Sequence, residues 1–360
     1  MLGQPRIQSP QRHDYRSHRY DPTTNTTSTS SKDHPTNGSH SKVGLVLGAG
    51  GVAGGAFHAG VLAALHDSLG WDPRRADVIV GTSAGSVTAA SLRAGLSGAD
   101  MLARAEGRPM SLSGTQLLQG FGPPLRPPPL DALGARPRPL GEIAATLARA
   151  AARPFSARPL ALLVGLLPEG TVGTEFIVDG VAALHRDAWP TRTLWVCAVR
   201  QRDGRLVVFG RHMKAEVAQA VAASCAIPGF FRPVQIDGEL YVDGGAHSPT
   251  NADLLSAEGP RLVVVSSPMS HAGSVRRSGI APVRRWSRLL LDGESYRLRR
   301  AGVHVVAFQP TAEDITVMGH NSMDPSRRAD IARQSYESTL RRLARADTRE
   351  RLASIASSGH

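Results

Sequence analysis

The stretch Ala76-Asp77-Val78-Ile79-Val80-Gly81-Thr82-Ser83-Ala84-Gly85-Ser86 decides how the rest of the chain is read. A short apolar run is followed by a glycine-flanked serine and then by an alanine-rich segment, an order that predicts strand, sharp turn and helix. In Gly-x-Ser-x-Gly the glycines relieve crowding at the turn, and the helix N-terminus favours negative charge beside the serine. A serine held in this way can act as a nucleophile. The pentapeptide alone is a weak signal in a chain rich in glycine and serine, so its neighbours must carry the case.

Upstream, Val43-Gly44-Leu45-Val46-Leu47 is a continuous apolar run, as expected of a strand buried on both faces. The loop Gly48-Ala49-Gly50-Gly51-Val52-Ala53-Gly54 follows, then a helix predicted over Ala56 to Leu69, a strand over Ala76 to Val80 and a helix over Ser86 to Ala94. Connections this short suit a right-handed βαβ unit and hence a parallel α/β sheet. The glycine loop and Ser83 then emerge at the carboxyl ends of neighbouring strands, the edge where open α/β sheets bind ligands. Glycine N–H groups at a helix start can hold a developing oxyanion, which a serine attacking an ester requires.

Two rival readings of the glycine loop are weaker. Val43 to Leu65 contains no Asp, Glu, Lys or Arg and is long enough to cross a bilayer, but Gly48, Gly50, Gly51, Gly54 and Gly55 interrupt its middle. Gly48-x-Gly50-x-x-Ala53 also satisfies the dinucleotide fingerprint, which needs an acid at the end of the second strand. Gly81 stands there, and Asp67 falls in the first helix or its exit.

Downstream, the chain is proline-dense from about Gly107 to Pro139, which excludes a long helix and suggests a surface excursion. Leu140 to Ala151 reads as helical, and Leu160 to Leu167 is an apolar stretch suited to a core helix or an acyl pocket. Two hairpins follow. Thr193–Val199 and Arg205–Phe209 turn around Asp203-Gly204, and Val234–Ile236 and Glu239–Val242 turn at Asp237-Gly238, delivering Asp243. Apolar runs at Leu262–Val265 and Val303–Phe308 add strands. A last helix is predicted from an Asp324 N-cap and Pro325 to about Leu352.

The 360 residues are enough for one large domain, and 41% hydrophobic with 20% charged residues is ordinary for a globular protein. The net charge of +12, nearly all arginine, invites anionic partners, although a GC-rich coding sequence produces the same skew. Nothing resembles a nucleic-acid module. Cys197 and Cys225 make neither a disulfide framework nor a metal spacing, and read as buried inert thiols in a reducing compartment. Residues 1–41 are polar and expected to be a disordered tail, with Met1-Leu2-Gly3 matching neither a signal peptide nor a myristoylation start. The expected organisation is a core over 42–260 with an excursion at about 107–170, residues 261–355 completing the same domain, and a disordered end at 356–360. The expected compartment is the cytoplasm, with peripheral membrane contact left open.

Three ordered motifs resemble the patatin-like phospholipase family: the glycine loop with Gly54, Gly81-Thr82-Ser83-Ala84-Gly85, and Asp243-Gly244-Gly245. The likeness runs from about Gly44 to Ala252 and includes Ala226-Ile227-Pro228-Gly229-Phe230. It implies a three-layer α/β/α sandwich with a mainly parallel central sheet. It also implies a serine hydrolase of phospholipid, lysophospholipid or related acyl esters, with a Ser-Asp dyad and no histidine, metal or other cofactor. Carried over by position, Ser83 is the nucleophile and Asp243 its base, and the N–H groups of Gly50, Gly51 and Val52 form the oxyanion hole. Gly48, Gly54, Gly81, Gly85, Gly244 and Gly245 support these motifs. Hydrolysis would pass through an acyl-serine that water then attacks.

One departure is Ala53, where the family usually carries Arg or Lys. It leaves room for a general carboxylesterase or thioesterase, or for a non-catalytic lipid-binding or scaffold protein. A Ser-Asp-His triad would have to recruit His247, His304 or His320, but the hairpins and a first-strand oxyanion loop fit that fold poorly. The cluster from Arg276 to Arg300, interleaved with Trp286 and Leu289-Leu290-Leu291, reads either as a solvated helix face or as a dock for an anionic membrane.

Overall fold

Strands form where the apolar runs lie. The computed structural model describes residues 42–119, 170–185, 189–273 and 281–356, all within one compact unit, His40–His360. The expectations for residues 1–41, the prolines beyond 119, Leu140–Ala151, Leu160–Leu167, Arg276, Arg277 and residues 357–360 fall outside the described residues.

Eight strands build one sheet: β1 (Val43–Leu47), β2 (Val78–Thr82), β3 (Thr193–Arg200), β4 (Leu206–Phe209), β5 (Val234–Ile236), β6 (Glu239–Asp243), β7 (Leu262–Ser266) and β8 (His304–Phe308). Their order is β5-β6-β3-β2-β1-β7-β8, with β4 also on β3. The central strands β3, β2, β1, β7 and β8 are parallel, while β4 and β6 pair antiparallel with β3, and β5 pairs antiparallel with β6. The sheet is therefore mainly parallel, as its continuous apolar runs implied.

Strand alternation splits the core into two layers. Leu45, Leu47, Ile79 and Val196 face a large cluster with Phe57, Leu62 and Leu92, from helices α1 (Gly51–Leu69) and α2 (Ala84–Ala94). Val46, Val80, Trp195 and Val265 face the opposite cluster. The remaining helices are α3 (Gly98–Glu106), α4 (Leu112–Leu117), α5 (Glu175–Leu184), α6 (Val217–Ser224), α7 (Ala281–Arg300), α8 (Ala312–Met318), α9 (Arg328–Leu343) and α10 (Ala346–Ala356). Leu291 and Leu298 of α7 close the second layer, and Ile331 and Leu343 of α9 join the first. The result is the α/β/α sandwich. Among the described residues no helix is long and apolar enough to cross a membrane.

Besides two-residue shifts at β2 and at the start of α2, two helix predictions change. Helix α1 starts at Gly51 rather than Ala56, because its glycine-rich first turn is held by packing that overrides poor glycine propensity. The single last helix is a 3-10 turn at Pro325–Arg327 under the Asp324 cap, followed by α9 and α10. Leu343 and Leu352 are both fully buried, yet at about 100° per residue they would lie on opposite sides of one straight helix. Burying both against one core requires the break at Ala344.

The decisive topology is at β3. Its residues 193–197 pair with β2, residues 196–199 with β4 and residues 198–200 with β6. Strand β4 overlaps both others and so takes one edge alone. Strands β2 and β6 must then share the other edge, arriving from opposite directions. Thr82, opposite Cys197, and Asp243, opposite Ala198, meet end to end.

Candidate active site

Ser83 follows Thr82 at that junction. Its backbone sits at φ 53° and ψ −125°, a region that costs a non-glycine residue on the order of 1–3 kcal/mol and persists only when surroundings enforce it. Here the Ser83 N–H donates to Ser224 Oγ at 2.9 Å, and Ser224 Oγ donates to the Cys197 carbonyl at 2.6 Å. The Ser83 carbonyl accepts from Ser86 N–H at 2.8 Å and Ser86 Oγ at 2.7 Å. Gly85 makes the turn sterically feasible. A Cβ there would lie 1.9 Å from the Leu47 carbonyl oxygen.

Asp243 ends β6, 5% exposed. Its N–H donates to the Ala226 carbonyl at 2.9 Å, so the Ala226-Ile227-Pro228 segment clamps the strand end. Its Oδ1 accepts from Gly245 N–H at 2.7 Å. Burial pushes the carboxyl up to about 6, against hydrogen bonds from the Ser83 hydroxyl and Gly245 that favour the charged form. Such a carboxylate is ionised at neutral pH yet more basic than an exposed one, which suits a general base.

The glycine loop is fixed from several sides. Gly48 N–H donates to the Ser266 carbonyl at 2.9 Å, Ala49 N–H to the Pro249 carbonyl at 2.8 Å and Ala53 N–H to the Ser322 carbonyl at 2.9 Å. Between them, the N–H groups of Gly50, Gly51 and Val52 find no acceptor among the described residues. Gly51 has φ +60°, and a Cβ on it would stand 2.8 Å from Met323 Sδ. Below the loop, His58 Nε2 donates to the Gly48 carbonyl at 2.8 Å, so its Nδ1 accepts from Ser266 Oγ at 2.8 Å. Burial drives this imidazole down to about 4, so it is neutral. Ala53 is 1% exposed and packs in the core.

A cavity of about 220 Å³ opens beside Ser83. Successive turns of α1 (Val52, Ala56, Ala59) and α2 (Ala84, Val87) line it, so it runs along the groove between the two helices, away from the serine. Met101, Leu118 and Phe176 make the wall apolar. Cys225 also lines it, with Sγ 3.8 Å from Ser86 Oγ, and burial raises its thiol pKa. Cys197 is buried in β3 and pushed up to about 12. Both thiols are the inert type expected.

The sequence motifs did not single out the residues that hold this arrangement. Asn251, itself at φ 53°, donates through Nδ2 to Thr82 Oγ1 at 3.1 Å and to the Ser248 carbonyl at 2.7 Å. The carboxylate of Glu294, on α7, accepts from Ser248 Oγ and Thr250 Oγ1, each at 2.5 Å, and from Ala252 N–H at 2.9 Å. Ser224 and His58 belong with them. None sits in a recognisable local pattern, although Asn251 and Ser248 lie just past the Asp-Gly-Gly motif. His247 pairs its Nδ1 with Asn251 Oδ1 at 2.8 Å. His304 opens β8, at the sheet edge opposite Ser83, and His320 is exposed.

A parallel-rich α/β/α sandwich with a strained serine and a buried carboxylate at the carboxyl edge of its strands defines the class. The patatin-like phospholipase model matches residues 45–256, and the chain belongs to that family of lipid acyl hydrolases. Among solved structures the chain is similar to VipD from Legionella pneumophila, at 17% identity and TM-score 0.39, covering 89% of this chain and 67% of that one. It is also similar to the type III effector protein ExoU, at 16% identity and TM-score 0.37, covering 88% of this chain and 53% of that one. The ExoU–SpcU complex of Pseudomonas aeruginosa matches at 20% identity and TM-score 0.29, covering 88% of this chain and 57% of that one. The chain thus spans between about half and two thirds of the lengths of these proteins. No curated protein matches the sequence.

Proposed function

We propose that the protein hydrolyses acyl esters of phospholipids, lysophospholipids or related lipids, with Ser83 as nucleophile and Asp243 as its base. The observation that carries this reading is the end-to-end meeting of β2 and β6 on one edge of β3, which sets the Ser83 hydroxyl against the Asp243 carboxylate. Residues 42–260 hold the reacting groups, and the later strands and helices complete the same domain.

In the first step Ser83 Oγ attacks the ester carbonyl while its proton passes to Asp243. The carbonyl oxygen gains the negative charge and is held by the N–H groups of Gly50, Gly51 and Val52. Collapse expels the alcohol, which takes the proton from Asp243. The acyl chain stays on Ser83 and lies along the apolar groove between α1 and α2. Water then attacks the acyl carbon as its proton passes to Asp243. Collapse breaks the bond to Ser83 Oγ, which takes that proton back as the fatty acid leaves. Ala53 supplies no positive charge beside the hole, so oxyanion stabilisation rests on neutral backbone donors, and these do not depend on that side chain.

Labelling by a fluorophosphonate probe tests the nucleophile. Wild type is expected to label, Ser83→Ala to remain unlabelled, and a phospholipid and lysophospholipid panel read by mass spectrometry to show fatty-acid release by wild type only. A folded wild-type protein that neither labels nor releases fatty acid would leave a lipid-binding role in place of the enzyme.

A further inference from the structure

Helix α7 packs into the protein on one side and carries large apolar side chains on the other. Its inner residues Ser287, Leu291, Glu294, Ser295 and Leu298 are buried, yet Val283, Trp286, Leu289 and Tyr296 are 49%, 36%, 70% and 60% exposed. Leu289 and Tyr296 are two helical turns apart and point directly away from the core. Around them stand Arg285, Arg299 and Arg300, exposed and with no carboxylate partner among the described residues. Asp292, at the margin of this face, is paired with Arg288. A helix already anchored by a buried inner face needs no further leucine, tyrosine and tryptophan on its water side, and large side chains there mark a second partner.

We propose that this outer face of α7 docks on an anionic lipid surface. Aromatic and aliphatic tips enter the headgroup boundary while arginines meet the lipid charge. Charge complementarity selects this occupant. A second copy would oppose one basic face to another in a chain of net charge +12. The polar residues 1–41, with five Lys and Arg against three Asp, are basic as well. The preference for lipid over nucleic acid rests on the lipid-ester reading above.

The test is sedimentation of the full chain with vesicles of pure phosphatidylcholine or of phosphatidylcholine with 30% (about one third) phosphatidylserine. Binding is expected only to the anionic vesicles. Trp286→Ser/Leu289→Ser/Tyr296→Ser should abolish it. Arg285→Gln/Arg299→Gln/Arg300→Gln should weaken it about a hundredfold. Both variants should keep the melting temperature and the hydrolysis of a water-soluble short-chain ester. Ser83→Ala should bind like wild type, so failure of the hydrolase reading leaves this result untouched. Undiminished binding by the triple serine variant, equal binding to both vesicles, or retention of an oligonucleotide instead of vesicles would each overturn the proposal. So would a concentration-dependent dimer that the triple serine variant dissolves.

Discussion

The backbone N–H of Ser83 donates to the hydroxyl of Ser224 at 2.9 Å. That hydroxyl in turn donates a hydrogen bond to the Cys197 carbonyl, on the strand whose edge β2 and β6 share. Ser224 thus bridges β3 to the strained residue. In Ser224→Ala the buried N–H loses its acceptor, at a cost of about 1–3 kcal/mol. The expected result is a melting temperature lowered by several degrees and a kcat reduced roughly ten- to a hundredfold with little change in KM. An unchanged kcat in steady-state assays would remove Ser224 from the machinery.

With Asp243 as the proposed base, the rate should follow the titration of its carboxyl. With a folded value of about 6, kcat/KM for a soluble ester should rise through that value and level off above it. Stability runs the other way. The folded carboxyl holds its proton more tightly than the unfolded one, so stability present at low pH is lost as pH rises toward 6, by roughly 3 kcal/mol at about 1.4 per unit. Asp243→Asn should therefore be inactive yet more resistant to denaturant than wild type at pH 8, with the difference shrinking at pH 4. Urea titrations at the two pH values check this.

His58 has the opposite sign. Its folded value of about 4 lies below the ordinary 6.5, so its contribution is whole above the ordinary value and is lost as pH falls from there toward 4. His58→Gln should remove this acid sensitivity. It should also lower kcat, because the Gly48 carbonyl loses the donor that fixes the loop. The comparison is best made as the wild-type minus variant difference, since Asp243 titrates in the same window.

Two glycines should respond in contrary ways. Gly85→Ala puts a methyl against the Leu47 carbonyl, a backbone atom that cannot withdraw, and the variant is expected not to fold. At Gly55, inside α1, an added Cβ meets nothing within 4 Å. Gly55→Ala should then stabilise by about 0.5–1 kcal/mol. Thermal melts of the two proteins decide the matter, and equal stability would contradict the close approach of α2 to β1.

Much of the framework was legible in the chain because its signals are local. Apolar runs of four to six residues marked β1, β2, β7 and β8 to within two residues. Asp237-Gly238 marked the tight turn before β6, and both residues have positive φ, 49° and 78°. The Gly-x-Ser-x-Gly turn marked Ser83. The break between α9 and α10 was not legible, since nothing in that alanine- and arginine-rich stretch stops a helix. It comes from the burial of both Leu343 and Leu352.

By itself, then, the sequence determined the alternation of strands and helices, the glycines that shape the turns, and the two residues proposed to react. The reason is that backbone preference and side-chain periodicity act over a few residues. Tertiary structure alone decided that β2 and β6 share an edge of β3, and that Ser224, Asn251, His58 and Glu294 brace the junction. Those contacts join positions far apart in the chain, and burial leaves each polar group to be satisfied by protein partners in place of water.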